Sequence, residues 1–329
     1  MIHYYDHSRS FAVRGTRTYN DPWSSTAGWV HMTDERIIIS ASRRTDIPAF
    51  YSDWLITQLH RGFAEVTNPY SHAVNSVPLS AECVHSIVLW SKNFAPLLKR
   101  IDALTGYELF FMFTINDSRF LEPRVPPLSD RFEQCDLILK RFGKERLLIR
   151  FDPIVYWKEG TGIRNNCASF QTILKRVAGA GITRMKTSFM DTRYRKLARR
   201  GVDFIDLPVG QKIEIAATMG EIAGRYGITL EFCCNDYLFK DTSLPNIEKS
   251  CCIDGRYMAC IVGRPTIFKK DPSQRKECQC TYSRDIGDYA QQCPHSCLYC
   301  YANPRIDGDH RERKQAGWPL ERRRPDGTV

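Results

Sequence analysis

Arg36-Ile37-Ile38-Ile39-Ser40-Ala41, followed by Phe50 to His60 (FYSDWLITQLH), is the stretch from which the fold is read. The β-branched run has the form of a strand, and the segment after Pro48 that of an amphipathic helix with its start signal. Working outward, further strands fit Phe63-Thr67, Ser86-Trp90, Glu108-Ile115, Arg146-Phe151, Arg184-Phe189 and Thr229-Cys233. Helices fit Ala95-Leu104, Ser129-Phe142, Ala168-Ala178 and Val209-Tyr226, the last closed by Gly227. Cys280-Thr281-Tyr282-Ser283 supplies an eighth strand. Strand and helix in alternation imply a parallel sheet, and eight such units suggest a closed α/β barrel, with a doubly wound open sheet as its rival. The polar residues favour the barrel. Nearly every apolar run ends in reactive or charged groups: Arg43, Arg44 and Asp46; Thr67 and Asn68; Ser91, Lys92 and Asn93; Asn116 and Asp117; Asp152; Lys186, Ser188 and Asp191; Cys233 and Cys234. A barrel gathers all of these at its C-terminal mouth.

The chain has 329 residues, 43% apolar and 26% charged. No stretch approaches the roughly 18 uninterrupted apolar residues of a membrane span, and Met1 to Ser10 lacks a signal-peptide core, so the cytoplasm is the expected compartment. An excess of 47 Lys+Arg over 37 Asp+Glu gives +10. That charge permits an anionic substrate or nucleic acid as partner without requiring either. Thirteen cysteines are an odd number for a disulfide framework. Ten fall between Cys233 and Cys300, and such clustering in a reducing compartment favours metal ligation.

The last three of the ten stand in Cys293-Pro294-His295-Ser296-Cys297-Leu298-Tyr299-Cys300, a C-x3-C-x2-C spacing. Three close thiolates hold three corners of an iron-sulfur cube and leave the fourth iron open to a small chelating molecule. The spacing and the position of Tyr299 resemble the cluster loop of radical S-adenosylmethionine enzymes. That resemblance implies a 4Fe-4S cluster on Cys293, Cys297 and Cys300, S-adenosyl-L-methionine on the open iron, and an external electron donor such as flavodoxin or ferredoxin. In those enzymes the motif usually follows the first barrel strand. A ring has no preferred starting strand, so a Cys280-Ser283 strand placed beside Ile37-Ser40 puts the loop in the same place. The expected fold is therefore a circularly permuted TIM-type barrel over residues 34–304, with a cluster-binding segment at 278–303. An N-terminal extension (1–33) and a mobile basic tail (305–329, with Arg322-Arg323-Arg324) flank it.

Ser40-Ala41-Ser42-Arg43-Arg44-Thr45-Asp46-Ile47-Pro48, Trp90-Ser91-Lys92-Asn93, Phe151-Asp152-Pro153, Cys252-Ile253-Asp254-Gly255, and Asp285-Ile286-Gly287 through Cys300-Tyr301-Ala302-Asn303 together resemble the bacterial family DUF1848. The resemblance covers roughly residues 35 to 304 and implies a cysteine-rich barrel with a radical-enzyme-like loop, but no reaction.

Candidate cofactor contacts are Arg43 and Arg44, whose guanidinium groups fork onto carboxylates, and Asp46, an acceptor for hydroxyl or ammonium. Their structural alternative is an Arg-Asp pair capping the following helix. Lys92, Asn93, Asp152 and Lys186 are further candidates. Cys234, Cys252, Cys278 and Cys280, with Cys233 and Cys251 nearby, are a second candidate metal set, for an auxiliary iron-sulfur cluster or a zinc. Cys83, Cys135 and Cys167 read as packing residues, and His295 as a group that orients the loop. Three classes of function remain: a radical S-adenosylmethionine enzyme, a zinc-stabilised barrel with hydrolytic chemistry, and a non-enzymatic module that binds nucleic acid or a partner.

Overall fold

A computed structural model describes residues 36–306 except Tyr70, Asp241, Thr242 and Asn303. The extension 1–33 and the tail beyond Ile306 lie outside the described residues. The first half runs β1 (Ile37–Ala41), α1 (Ile47–Phe50), α2 (Ser52–Arg61), β2 (Phe63–Thr67), β3 (Val74–Pro78), β4 (Val84–Ser91), α3 (Ala95–Leu98), β5 (Leu109–Thr114) and α4 (Leu128–Phe142). There follow β6 (Leu147–Ile154), β7 (Tyr156–Glu159), β8 (Gly162–Asn165), α5 (Phe170–Gly179), β9 (Arg184–Phe189) and β10 (Asp203–Phe204). The chain continues with α6 (Val209–Arg225), β11 (Thr229–Phe232), β12 (Ile247–Lys249), α7 (Gly255–Val262) and β13 (Ser283–Asp285).

Eight strands form one sheet in the order β12-β11-β9-β6-β5-β4-β1-β13, and every pairing in it is parallel. Seven follow chain order, while β13, the last, pairs with β1, the first, in the register Ile38↔Ser283, Ile39↔Arg284, Ser40↔Asp285. A doubly wound sheet reverses its strand order partway; this one does not. Among the described residues no ladder joins β12 to β13. Their flanking segments nevertheless meet: Thr281 N–H donates to the Ile253 carbonyl (2.9 Å) and Gly255 N–H to Thr281 Oγ1 (2.9 Å).

Alternate side chains serve two apolar layers. Ile39, Leu89, Phe111, Ile149 and Leu230 pack outward against α2, α4, α5 and α6 through Leu55, Ile138, Ile173 and Met219. Ile38, Val88, Trp90, Phe110 and Met112 pack inward against Met258 of α7 and against Cys252, Cys278 and Cys280. Burial on both sides is why β5 reads as a continuous apolar run and β4 as one from Ile87 to Trp90, each buried apolar side chain contributing about 1.5–3 kcal/mol.

The structure departs from the sequence reading in its details. Phe63–Thr67 is not in the main sheet: it pairs antiparallel with β3 in a separate hairpin. Its place among the eight is taken by β12, whose three residues offer too little pattern to find. The eighth strand sits at Ser283–Asp285, slightly past the expected Cys280-Ser283. The expected Ala95-Leu104 helix breaks after Leu98 and resumes as a 3-10 turn, Ile101–Leu104. No helix among the described residues is long and apolar enough to cross a membrane.

Candidate functional site

Asp285, at the end of β13, joins the last strand to the first. Its carboxylate accepts from Ser40 Oγ (2.8 Å), Ser42 Oγ (2.7 Å), Arg43 N (2.8 Å) and Gly287 N (3.0 Å). Gly287 has to be glycine, because a Cβ there would lie 2.0 Å from Ser42 Oγ. Arg44 donates to the Gly287 carbonyl (3.0 Å) and lies over the Tyr289 ring. Two separated motifs, Ser40–Arg44 and Asp285–Gly287, are thus one clasp.

Beyond the clasp comes the C-x3-C-x2-C loop, anchored by buried polar groups. His295, 1% exposed, places Nε2 at 3.1 Å from Asp46 Oδ2 and Nδ1 at 3.3 Å from the Arg124 carbonyl. Asp46 also caps α1 by accepting from Ala49 N (3.0 Å), and accepts from Ser91 Oγ (2.7 Å) and Lys92 N (2.9 Å). Leu298 N–H donates to the Leu121 carbonyl (2.9 Å). Tyr299 donates its hydroxyl to Glu122 and accepts from Asn116 Nδ2 (3.2 Å), while Glu122 also takes Lys92 Nζ (2.7 Å). Burial pushes the Glu122 carboxyl up, but Lys92 and Tyr299 more than reverse it and hold the group below the usual range.

The three loop thiols feel one another. Burial raises all three; Cys300 adds to the rise at Cys293, and Cys293 and Cys300 add to it at Cys297, with Lys92 opposing it at Cys297 and Cys300. Three mutually repelling sulfurs ionise together only with a cation among them, so the donor set suits a thiophilic metal group.

Next to the loop, at the C-terminal ends of β1, β4, β5, β6, β9 and β11, lies a cavity of about 250 Å³. Tyr299, Cys300 and Tyr301 form one wall; Arg43, Trp90, Lys92, Arg150, Asp152 and Lys186 are among the other lining residues. Arg43 and Arg150 both lie against the Trp90 ring, at 5.3 and 4.9 Å from its centroid. Arg43 Nη2 and Arg150 Nε are buried donors with no hydrogen-bond partner. Asp152 pairs with Arg150 and accepts from Ser188; Lys186 pairs with Glu231 (2.6 Å) and donates to Ser250 Oγ (2.9 Å).

A second group of thiols lines the same cavity: Cys233, Cys234, Cys252, Cys278 and Cys280. The sulfurs of Cys233, Cys234 and Cys278 lie within 4.8 Å of one another, an arrangement able to hold a metal ion.

With this geometry in view, the family model described as domain of unknown function DUF1848 matches residues 38–302. The chain belongs to the DUF1848 family. No protein with a curated description matches it. All the candidate ligands lie within the DUF1848 span.

Of the residues singled out from sequence, Arg43, Lys92, Asp152, Lys186, Cys300 and the set Cys234, Cys252, Cys278 and Cys280 come together around the cavity. Five do not line it: Cys293 and Cys297 of the thiol loop, and three others. Arg44 serves the clasp, Asp46 spends its oxygens on α1 and the loop, and Asn93 accepts from Ala95 N (3.2 Å) at the start of α3. Cys135 packs in the outer core, Cys83 is exposed and Cys167 half-buried. Sequence reasoning missed Arg150, Glu122 and Arg275. Arg150 was detectable, as a charge inside the apolar LLIRF; Glu122, in a connecting loop, carried no signal.

Proposed function

We propose that this protein is a radical S-adenosylmethionine enzyme, with Cys293, Cys297 and Cys300 as ligands of a 4Fe-4S cluster and the adjoining cavity as the site of cofactor and substrate. One observation carries the reading: the thiol loop follows the strand beside β1, and its Tyr299-Cys300-Tyr301 stretch walls a cavity at the C-terminal strand ends, where α/β barrels place their chemistry. The reading also takes the eight strands as a ring closed between β12 and β13.

Held by the loop cysteines and given one electron by an external donor such as flavodoxin or ferredoxin, such a cluster would supply reductive cleavage of the sulfur–C5' bond of S-adenosyl-L-methionine, releasing methionine and a 5'-deoxyadenosyl radical able to take hydrogen from a substrate. The chain's own residues do the rest. Lys92, fixed by Glu122, is the cation beside the loop thiols and would meet the methionyl carboxylate. Arg43 and Arg150 hold unspent donors for an anionic substrate, and both rest against the Trp90 ring. Phe189, Met190 and Tyr299 supply the apolar lining that excludes water from a reactive radical. Thirteen free thiols suit the reducing cytoplasm.

Anaerobic purification followed by reaction with S-adenosyl-L-methionine and dithionite tests this. Brown protein that releases 5'-deoxyadenosine, with the release lost in Cys297→Ala, is the expected result. Colourless zinc protein, or iron-loaded protein that leaves the cofactor intact under strong reductant, overturns it.

A further inference from the structure

The second thiol group is assembled from three separate places in the chain. Cys233 and Cys234 follow β11, Cys252 follows β12, and Cys278 and Cys280 precede β13. Consecutive side chains of an extended segment point to opposite faces, yet the Cys233 and Cys234 sulfurs stand 3.5 Å apart. A left-handed Cys234, with φ at 57°, turns the chain so that they meet. That conformation is costly for a residue with a Cβ and persists where the surrounding structure holds it for a purpose. The purpose is not a disulfide, for which the sulfurs are too far apart. Cys278 joins the pair, and all three sulfurs lie within 4.8 Å of one another.

Four sulfurs bound at about 2.3 Å to one tetrahedral ion stand ~3.8 Å from one another. The observed spacings fall around that figure, so the group suits one shared ion. Cys233 also touches Cys252, so its sulfur meets three others. Cys280 touches Cys252 and Cys278, and its sulfur accepts the Ile253 N–H (3.4 Å). The Cys280 N–H in turn donates to Cys278 Sγ (3.4 Å), a bond that favours a thiolate there. Cysteine used as a small apolar residue looks different: Cys135 sits among aliphatic and aromatic side chains of the outer core.

We infer that Cys233, Cys234, Cys252 and Cys278 bind a single zinc ion, which ties the end of β11 to the segments after β12 and before β13. Zinc takes four thiolates in a closed tetrahedron and has no redox chemistry of its own, so its role here is structural. Its place in the ring gives that role content. No ladder joins β12 to β13 among the described residues, and the two are linked through contacts of Ile253, Gly255 and Thr281. An ion held by ligands on both sides of this seam draws it together, and because the site exists in the folded chain alone, its binding free energy adds to folding. Cys280 remains a thiol beside it.

Zinc, iron and acid-labile sulfide per chain, counted in wild-type protein and in the triple variant Cys293→Ala/Cys297→Ala/Cys300→Ala, test the inference independently of the proposed function. Both proteins are expected to hold about one zinc, and Cys278→Ser to lose it. Cobalt exchanged into the triple variant should show the visible bands of a tetrahedral ion with thiolate charge transfer, and removal of zinc by a chelator should lower the melting temperature. Where a variant fails to fold, wild-type protein decides: Cys233, Cys234, Cys252 and Cys278 should become open to alkylation only after the chelator is added, as peptide mapping reads. A triple variant without zinc, an unchanged zinc count in Cys278→Ser, alkylation indifferent to the chelator, or iron with sulfide in the triple variant overturns the inference. Zinc-bearing protein that leaves S-adenosyl-L-methionine intact under strong reductant sinks the radical-enzyme reading and leaves the inference standing.

Discussion

Asp46 shows how far a single side chain holds the site together without lining it. It caps α1, fixes the start of the Lys92 turn and meets His295 inside the thiol loop. Asp46→Ala should cost about 0.5–2 kcal/mol from the lost cap alone. It should also loosen iron at Cys293, Cys297 and Cys300, a loss read as faster bleaching by chelator together with a lower melting temperature. Glu231 offers a cleaner electrostatic test. It and Lys186 have side chains 1% and 4% exposed, so the pair is buried. Burial pushes Glu231 up, but Lys186 and Arg184 outweigh it and hold its carboxyl below the ordinary range. A depressed folded value means that stability from this group is present above the unfolded Glu value of about 4.3 and fades as pH falls through the lower folded one. Glu231→Gln should therefore destabilise by about 3–5 kcal/mol at pH 7, where it strands a buried ammonium. The gap to wild type should shrink below about pH 4, as thermal melts across pH will show.

Among the elements, the β1–β13 junction is the least tolerant. Gly287→Ala drives a methyl into Ser42, whose hydroxyl already serves Asp285, so overpacking of about 1–3 kcal/mol is expected, with loss of loop-bound iron as the sharper readout. The same scale shows what the sequence disclosed. β1, β4 and β5 were readable because burial on two faces leaves apolar runs, such as residues 109–113 with every position buried, while β6, β9 and β11 were placed by shorter apolar stretches and by their spacing between helices. Phe63–Thr67 misled because it is apolar too, yet its exposed Glu65 marks alternation and hence a half-buried hairpin strand. α7 was not read from the sequence; Asp254, just after Cys251-Cys252 and capping Tyr257 N, was the overlooked start signal. The thiol loop needed no tertiary knowledge, since its three cysteines are near one another in sequence. The second thiol group was only partly visible, because three strand ends supply it and no spacing rule reaches across them.

For the whole molecule, the neighbour relation of β13 to β1 predicts tolerance of a new chain start between β12 and β13. A chain opened at the exposed Lys276–Glu277 link, with residue 306 joined to residue 36 by a flexible linker of about 15 residues, should fold to the same sheet. Unchanged far-ultraviolet dichroism and unchanged iron content will check it; a collapsed, insoluble product will refute it. The volume of the cavity also bears on the basic surplus. At about 250 Å³ it cannot take a duplex, so +10 in net charge attracts nucleic acid, if at all, outside this pocket.

The pairing of Ile38 with Ser283 has a consequence for biosynthesis. On the ribosome the earliest strand must wait, one edge bare, until nearly all the others have emerged. Until β13 arrives, that edge offers unpaired backbone groups to any other extended segment, so the half-made sheet is open to mispairing at β1.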